Sequence, residues 1–549
     1  MPDIGRAPRR KLGGFSAAAW LVAVVVAAPV LAVAYNLLTP RWEVWQHLAQ
    51  TMLFELVRNT VLLLVGVGVL AGALGTSLAW LVAAHRFPGR SFFEWALVLP
   101  MAVPAYVIAF VFAGLFGYTG PVATHLRAAF GPDAFFPDVR TFPGVVVVMS
   151  LVLYPYVYLL ARAGFGSLGA APLEAARSLG SRHPFWRVGF PLARPAIATG
   201  LALALMETLA DFGAVSVLGY RTFTTAIYRV WFGMFDRVAA GQLAVALMLF
   251  AVALLSLERW ARGRARFVQR HGRPATEILA PLSPFRALGA SAYCGGVLFF
   301  AFLLPTGVLA YWTARAAAEE KLPSNFGSLL TNTVVLGAAA AITTLAAAFV
   351  LAYGQRLARS RSLAWAARIA GLGYAVPGSV IAVGVLLILS GADRALGRLV
   401  ESATGGDVGL VLTGSALGLL FAYVVRFVSV SFYTVEAGLE SIAPSLDEAA
   451  RSLGASPRRL LARVHAPLLK GSVLTASILV LVDVMKEMPA TMLIRPFGTD
   501  TLAVEVWQRT AEAMWREASL PALTIVLAGL LPVILLVRLG RRGQSVVPS

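Results

Sequence analysis

The sequence predicts an all-α polytopic membrane protein of about twelve transmembrane helices, arranged as two parallel repeats of six. Three observations predict this class: the composition, the recurring apolar runs and an internal duplication. The chain has 549 residues, of which 58% are hydrophobic and only 13% are charged. A soluble protein of this length needs far more polar residues to cover its core. We therefore expect lipid to surround much of the chain.

Apolar runs of about 18 residues or more recur along the chain, and each is long enough to cross roughly 30 Å of hydrocarbon. The first six lie at 15–37, 57–84, 92–115, 143–163, 195–219 and 241–257. The second six lie at 290–312, 329–354, 364–390, 409–432, 470–494 and 519–538. A basic linker at 258–289 separates a first half, 1–257, from a second half, 290–549. The opening run is long for the core of a signal peptide, so we expect a retained span.

Several segments recur at a nearly constant offset. Asn59 recurs as Asn332 and Pro104 recurs as Pro377, both at an offset of 273. The octapeptide LEAARSLG at 173–180 recurs as DEAARSLG at 447–454, at an offset of 274. Such recurrence is the signature of an internal duplication. Because each half holds an even number of spans, both copies are expected to face the same way, related by an axis along the membrane normal.

The formal charge of +19 is concentrated in short segments on alternate sides of the predicted spans. The positive-inside rule places these segments and the N-terminus in the cytoplasm. The predicted cytoplasmic segments are 85–91, 164–194, 258–289, 355–363, 433–469 and the tail from 538. No basic stretch is interleaved with aromatic residues in the manner of a nucleic-acid binder, so that class is excluded. The single cysteine, Cys294, can form neither an intrachain disulfide nor a zinc site.

Each half has a long cytoplasmic loop between its fourth and fifth spans. The shared Ala-Ala-Arg-Ser-Leu segment favours a helix, and Gly180 and Gly454 stop or bend it. Pro184 and Pro457 stand where a second helix can begin. The pattern predicts a short helix, a glycine turn and a second short helix along the membrane face. A solvated amphipathic loop is the alternative interpretation, and the recurrence of the same heptapeptide in both halves argues against it.

The two loops resemble the Glu-Ala-Ala loop of the permease subunits of ATP-binding-cassette (ABC) importers. The matching residues are Glu174, Ala175, Ala176, Gly180 and Pro191 in the first loop, and Glu448, Ala449, Ala450, Gly454 and Pro467 in the second. The first copy departs from the pattern, because its glutamate and proline are 17 residues apart, against 19 in the second copy. Docking of the first half is therefore expected to differ in detail.

The resemblance implies a type I ABC importer permease, which transports its cargo and is not itself an enzyme. In that family the loop forms a coupling helix that sits in a cleft of an ATPase subunit, so two loops imply two ATPase copies. The lysines of this chain are Lys11, Lys321, Lys470 and Lys486, and none is followed by Ser or Thr as a phosphate-binding loop requires. ATP and Mg²⁺ are therefore expected on the partner, with no cofactor in this chain. A periplasmic or lipid-anchored binding protein is the other implied partner.

The region around each fifth span narrows the resemblance. METLADFGAVSVLGYRTFTTAIYRVWF at 206–232 and VDVMKEMPATMLIRPFGTDTLAVEVW at 482–507 are similar to segments of the fused ferric-iron permeases. Fused thiamine permeases share the architecture and are the competing interpretation. The resemblance implies ferric iron as the cargo and a location in the bacterial inner membrane.

Four acidic residues in these regions are candidates for the translocation path. Glu207 and Asp211 are four residues apart, as are Asp483 and Glu487, so each pair is expected on one helix face. Carboxylates inside spans are costly and usually face an internal cavity, and ferric iron is a hard cation that suits oxygen ligands. The alternative is a structural role, in which the acids pair with Lys486 or other polar groups. No metal-binding set is identified, because the histidines are scattered.

Two other classes fit less well. A proton-coupled secondary transporter also has six plus six spans, but its typical basic loop between the second and third spans is not matched by HRFPGRSFF at 85–93. It would also leave the duplicated Glu-Ala-Ala loop unexplained. A membrane enzyme is disfavoured because no nucleophile–base pair, zinc signature or cofactor motif stands out.

Overall fold

The structure is a computed structural model. It describes residues 14–36, 38, 41–133, 135, 137–167, 178, 185–262, 279–358, 360–371, 373, 376–406 and 409–545. From the N-terminus, the α-helices are α1 Gly14–Tyr35, α2 Trp42–Leu48, α3 Phe54–Ala84, α4 Arg90–Ala96, α5 Ala105–Phe116, α6 Pro121–Phe130, α7 Phe142–Ser167, α8 Phe190–Ala210, α9 Gly213–Val217, α10 Phe223–Tyr228 and α11 Arg237–Arg262. They continue as α12 Pro284–Leu298, α13 Leu304–Ala318, α14 Phe326–Ala358, α15 Arg361–Ala370, α16 Gly378–Thr404, α17 Ala416–Glu440, α18 Pro444–Ser452, α19 Pro457–Leu460, α20 Ala466–Leu468, α21 Lys470–Lys486, α22 Pro489–Ile494, α23 Leu502–Ala511 and α24 Trp515–Ser545.

The predicted all-α membrane class is confirmed. Within the described residues, eleven helices are long and apolar enough to cross a membrane, or twelve if one bent pair is a single span. That pair is Leu461–Leu468 with Lys470–Lys486, bent by 60°. Short π-helical turns continue several helices, and a 3-10 turn lies at Leu99–Ala102. The strands of the described part are His85–Arg86 and Ala280–Pro281, two residues each and paired in parallel.

Four of the predicted spans are broken into shorter helices. The run 92–115 is broken between α4 and α5, and 364–390 is broken between α15 and α16. Pro104 and Pro377 are the residues immediately before α5 and α16. Proline cannot donate the next hydrogen bond of a helix and clashes with the preceding turn, so each is found where a new helix begins. The run 195–219 is split into α8 and α9, and 470–494 into α21 and α22.

One compact unit, unit 1, consists of residues 1–38 and 331–499. In it, α1 packs against α15 and α16. At the crossing with α16, a Cβ on Gly384 would lie 2.2 Å from the carbonyl oxygen of Pro29, so only glycine allows the two backbones to approach this closely. Buried Tyr353 and Phe432 belong to a core that also includes Val26 of α1.

The other compact unit, unit 2, consists of residues 39–330 and 500–549. Its centre is the packing of α3, α7 and α8, in which a Cβ on Gly75 would lie 2.8 Å from the carbonyl oxygen of Tyr154. Phe110 of α5 lies between Trp312 of α13 and Trp515 of α24, with ring centroids 5.8 and 6.2 Å away. The compact units thus differ in content from the predicted halves, because α1 belongs to unit 1 while α12, α13 and α24 belong to unit 2.

Candidate functional site

The second Glu-Ala-Ala loop has the predicted shape. Helix α18 carries the motif, Gly454 follows with a φ of +78°, and α19 begins at Pro457. That φ lies in the left-handed region where a side chain is strained, which explains why glycine ends the helix. Glu448, Ala449 and Pro467 are exposed. The predicted helix, glycine turn and second helix are confirmed for this loop.

The surface of this loop is apolar as well as charged. Leu453 is 88% exposed and Leu446 is 46% exposed. Leucines of this exposure in and around a loop, beside an exposed glutamate, are typical of a surface that another protein covers. Their place next to Glu448 identifies one candidate docking face on unit 1.

The buried face of the same loop carries an ion cluster. Arg356, near the end of α14, contacts both oxygens of Asp447 on α18, with Nε–Oδ2 and Nη2–Oδ1 distances of 3.2 and 3.1 Å. His465 Nε2 lies 2.8 Å from Asp447 Oδ1. The side chains of His465, Asp447 and Arg356 are 1%, 11% and 19% exposed. A cavity of about 330 Å³ lies beside Arg356 and Asp447.

The cluster keeps the carboxylate of Asp447 ionised. Burial by itself would raise the pKa of Asp447, but the hydrogen bonds with His465 and Arg356 outweigh burial and lower the pKa below its usual value. The sequence did not predict that Arg356, Asp447 and His465 form one group. The available signal was the first letter of the duplicated octapeptide, which is leucine in one copy and aspartate in the other.

Most of the first Glu-Ala-Ala loop lies outside the described residues, including its predicted coupling residues Glu174, Ala175, Ala176 and Gly180. Pro191 is described, and it is the second residue of α8. Just before it, Gly189 packs against Trp80, where an added Cβ would lie 2.7 Å from the indole ring. Trp80 also contacts Phe165 and Phe185, with ring centroids 5.2 and 5.1 Å away. The start of α8 is thus held by aromatic packing.

The acidic pairs near the fifth spans do not lie on single helices, so that prediction is wrong. Helix α8 ends at Ala210, and Asp211 has extended backbone angles. Asp211 Oδ1 instead accepts a hydrogen bond of 3.1 Å from the backbone N–H of Val215, in α9. Its carboxylate satisfies an N–H group that the start of a helix leaves unpaired. Glu207, one turn before the end of α8, is half-buried.

The second pair is arranged in the same way. Helix α21 ends at Lys486, and Glu487 is extended. Glu487 accepts hydrogen bonds from the backbone N–H groups of Ala490 and Thr491, at 3.0 and 2.9 Å, and from the Thr491 hydroxyl at 2.7 Å. Asp483 is half-buried on α21. Both second acids therefore cap the short helix that follows a break.

Glu487 has a cationic partner that sequence analysis also missed. The guanidinium of Arg426, on α17, lies 3.9 Å from Glu487 Oε1, and the two side chains are 14% and 1% exposed. A Cβ on Gly378 would lie 2.5 Å from Arg426 Nη1 and 3.0 Å from Glu487 Oε1. Among the described residues, no group of three or more His, Cys, Asp or Glu side chains is arranged to hold a metal ion.

The fold and these sites define a class: a polytopic membrane protein with duplicated loop motifs, broken spans and an exposed apolar loop helix. The chain belongs to the family of binding-protein-dependent transport system inner membrane components, whose model matches residues 71–262 and again residues 345–544. The two matches confirm the internal duplication. The protein is accordingly a multi-pass permease component of the inner membrane.

Three relatives illustrate the similarity. An Fe(3+)-transport system permease protein of Haemophilus influenzae is 28% identical over 488 residues, which cover 88% of this chain and 89% of the relative. A ferric transport system permease protein of Actinobacillus pleuropneumoniae is 23% identical over 499 residues, covering 86% of this chain and 69% of the relative. A sulfate transport system permease protein of Escherichia coli is 28% identical over 274 residues, covering 48% of this chain and 96% of the relative.

Proposed function

We propose that this chain is the membrane permease of an ABC importer that moves ferric iron into the cytoplasm. Two copies of a separate ATPase subunit bind ATP and Mg²⁺ and dock on the two Glu-Ala-Ala loops. A periplasmic or lipid-anchored binding protein delivers the iron to the opposite face. The chain is embedded in lipid with its N-terminus in the cytoplasm and performs no catalysis of its own.

The observation that carries the cargo assignment is the extent of the similarity. The two relatives named as ferric or Fe(3+) permeases match along 86–88% of this chain. The sulfate permease of Escherichia coli matches 48% of it. A relative that matches both halves shares the fused architecture, whereas one that matches a single half shares only the common permease module. This contrast favours ferric iron.

Docking of the ATPase is supported by the surface of α18. Glu448 projects from the exposed side of the helix, and Leu453 is 88% exposed at its end. The buried core of a protein interface is apolar and its rim is polar, which is the combination that these two side chains present. The second loop therefore offers a docking face of apolar and charged side chains.

The four acidic residues are proposed as part of the translocation path. Carboxylate oxygen suits a hard cation such as Fe³⁺, and the half-buried side chains of Glu207, Asp211 and Asp483 lie at or near breaks in spans, where irregular backbone is tolerated only beside protein or a cavity. A purely structural role is the alternative, and the capping hydrogen bonds of Asp211 and Glu487 favour it for those two residues.

The function is tested by ATP-driven uptake of radioactive ferric iron into proteoliposomes that contain this chain, its ATPase and its binding protein. Thiamine and sulfate are tested in parallel as competing cargoes. Uptake of iron that requires ATP supports the proposal. Uptake of thiamine or sulfate without iron would refute the assignment of iron as cargo but not the permease function. Uptake driven by a proton gradient without ATP would refute the proposed ATPase partner.

The acidic path is tested in the first half with Asp211→Asn and Glu207→Gln. Asn can still accept the hydrogen bond from Val215 through its amide oxygen, so the cap of α9 is retained while the charge is lost. If these side chains line the path, the double variant reaches the membrane at the normal level and its iron uptake falls. Unchanged uptake would assign them a structural role only.

A further inference from the structure

Three segments of unit 1 meet at the carboxylate of Asp447. Arg356 reaches it from α14, His465 reaches it from the π-helical turn before α20, and Asp447 itself stands on α18. The Arg356 guanidinium also donates to the backbone carbonyl oxygens of Leu439 and Ile442, at the end of α17. One side chain of a spanning helix thus holds the loop helix, and the chain entering it, by charge-assisted hydrogen bonds.

The geometry makes this contact directional. The two nearly parallel contacts between the guanidinium and the carboxylate fix both the distance and the orientation of α18 relative to α14, which a single point contact does not do. Asp447 and Glu448 are consecutive, with Asp447 buried against Arg356 and Glu448 exposed on the docking face. The docking face and the contact with α14 therefore belong to consecutive residues of α18.

The first half replaces every member of the cluster. At the offsets of the duplication, Arg356 corresponds to Ala83, Asp447 to Leu173 and His465 to Gly189. Tyr353, whose ring lies 5.7 Å from that of His465, corresponds to Trp80, which packs directly on Gly189. Leu173 lies outside the described residues.

We infer that Arg356 is a positioning residue that couples the second docking loop to the spanning helix α14, and that the two halves make this connection by different chemistry. The second half uses a buried charge network, and the first uses aromatic packing on a glycine. The inference rests on the proposed docking of an ATPase on these loops. We further expect that removal of one charge, that of Arg356, uncouples the second loop from α14.

The test compares two variants of the full chain, reconstituted with its ATPase and binding protein. Arg356→Ala leaves Asp447 buried without its guanidinium. The double variant Arg356→Ala with Asp447→Leu removes both charges and introduces the two residues found in the first half. In Arg356→Ala the buried carboxylate of Asp447 keeps its contact with His465 but loses the guanidinium. The double variant removes this carboxylate as well, so it should regain part of the thermal stability. Arg221→Ala, which breaks an exposed ion pair with Glu55 in unit 2, is the matched control.

The readout is ferric iron transported per ATP hydrolysed, measured in the same proteoliposomes. We expect this ratio to fall about tenfold in both Arg356 variants, within the usual range of coupling between sites, and to stay at the wild-type value in Arg221→Ala. Arg356→Lys should restore part of it, because an ammonium can contact Asp447 but cannot form the paired contacts. A double variant that regains both stability and the transport ratio would overturn the inference, because the cluster would then be structural only.

Failure of the proposed function gives a different result. If the wild-type complex shows no ATP-dependent iron uptake, the proposed function falls and this inference falls with it. If the wild type transports iron and Arg356→Ala does so with an unchanged ratio at an unchanged ATPase content, only the inference is overturned.

Discussion

Replacement of Glu487 by alanine is predicted to destabilise unit 1 far more than removal of its cationic partner. Glu487 accepts three hydrogen bonds from Ala490 and Thr491 and lies 3.9 Å from the Arg426 guanidinium. Both of its oxygens are used. Alanine removes the cap of α22 and also the carboxylate that lies 3.9 Å from the Arg426 guanidinium, whose side chain is 14% exposed.

The two losses can be given magnitudes. Losing a helix cap costs about 1 kcal/mol, and removing one partner of a buried ion pair costs about 3–5 kcal/mol, because the other charge stays buried. Together they lower the free energy of unfolding by about 5 kcal/mol. Arg426→Met deletes the cation at similar volume and leaves the carboxylate of Glu487 buried, but three hydrogen bonds still stabilise that charge. Its cost is therefore expected near about 1–2 kcal/mol, below the cost of a buried charge without hydrogen-bond partners.

The duplication supplies a natural precedent for this asymmetry. In the first half, the position of Arg426 is Val152 and that of Gly378 is Ala105, yet Asp211 still caps α9. A capping carboxylate without an arginine is thus already used in this protein. The first half offers no example of the opposite case, an arginine at the position of Arg426 without an acid at the position of Glu487.

The assay is thermal unfolding of the detergent-solubilised full chain, followed by tryptophan fluorescence, together with the amount of each variant in the membrane. The unfolding entropy of about 2.1 cal/mol/K per residue is large for a chain of this length, so Glu487→Ala should lower the midpoint by about 4 °C and Arg426→Met by about 1–2 °C. The double variant should lie nearer to Arg426→Met. Equal midpoints for Glu487→Ala and the wild type would refute the reasoning, as would a larger loss in Arg426→Met than in Glu487→Ala.

Three further predictions concern glycines. Gly384→Val should detach α1 from α16, because the Cβ of valine would lie 2.2 Å from the carbonyl oxygen of Pro29. A lower yield of cross-links between the two helices would report the loss. Gly391→Ala is the control, because its Cβ would lie 4.0 Å from the nearest atom. Gly378→Ala should lower the unfolding midpoint by pressing on the ion pair of Arg426, whose Nη1 would be 2.5 Å away; an unchanged midpoint would contradict this. Gly454→Val should weaken binding of the ATPase, whereas Gly454→Asn should retain it. Asparagine tolerates a φ of +78° better than a β-branched residue does. Co-purification of the ATPase with each variant measures the binding.

The sequence predicted the membrane class, the positions of most spans and the shape of the second docking loop correctly. These features depend on local signals: the length of an apolar run, and the order of helix formers, glycine and proline. The breaks at Pro104 and Pro377 were visible as prolines, but the sequence did not tell whether each would kink a helix or end it. The end of α8 has no proline at the break, and at the end of α21 the proline, Pro489, is already the first residue of α22. The helix-face argument for Asp211 and Glu487 failed at both ends.

The sequence by itself determined that this protein is a duplicated, lipid-embedded helical permease, because burial in hydrocarbon demands long apolar helices and duplication repeats their order. Only the tertiary structure decided which residues meet. Arg356, Asp447 and His465 are separated by up to about a hundred residues in the chain, and Arg426 reaches Glu487 from a different helix. Such pairings depend on how helices pack, which no local pattern encodes. The membership of α1 in unit 1 also depends on helix packing, because the residues of α1 do not indicate which helices it contacts.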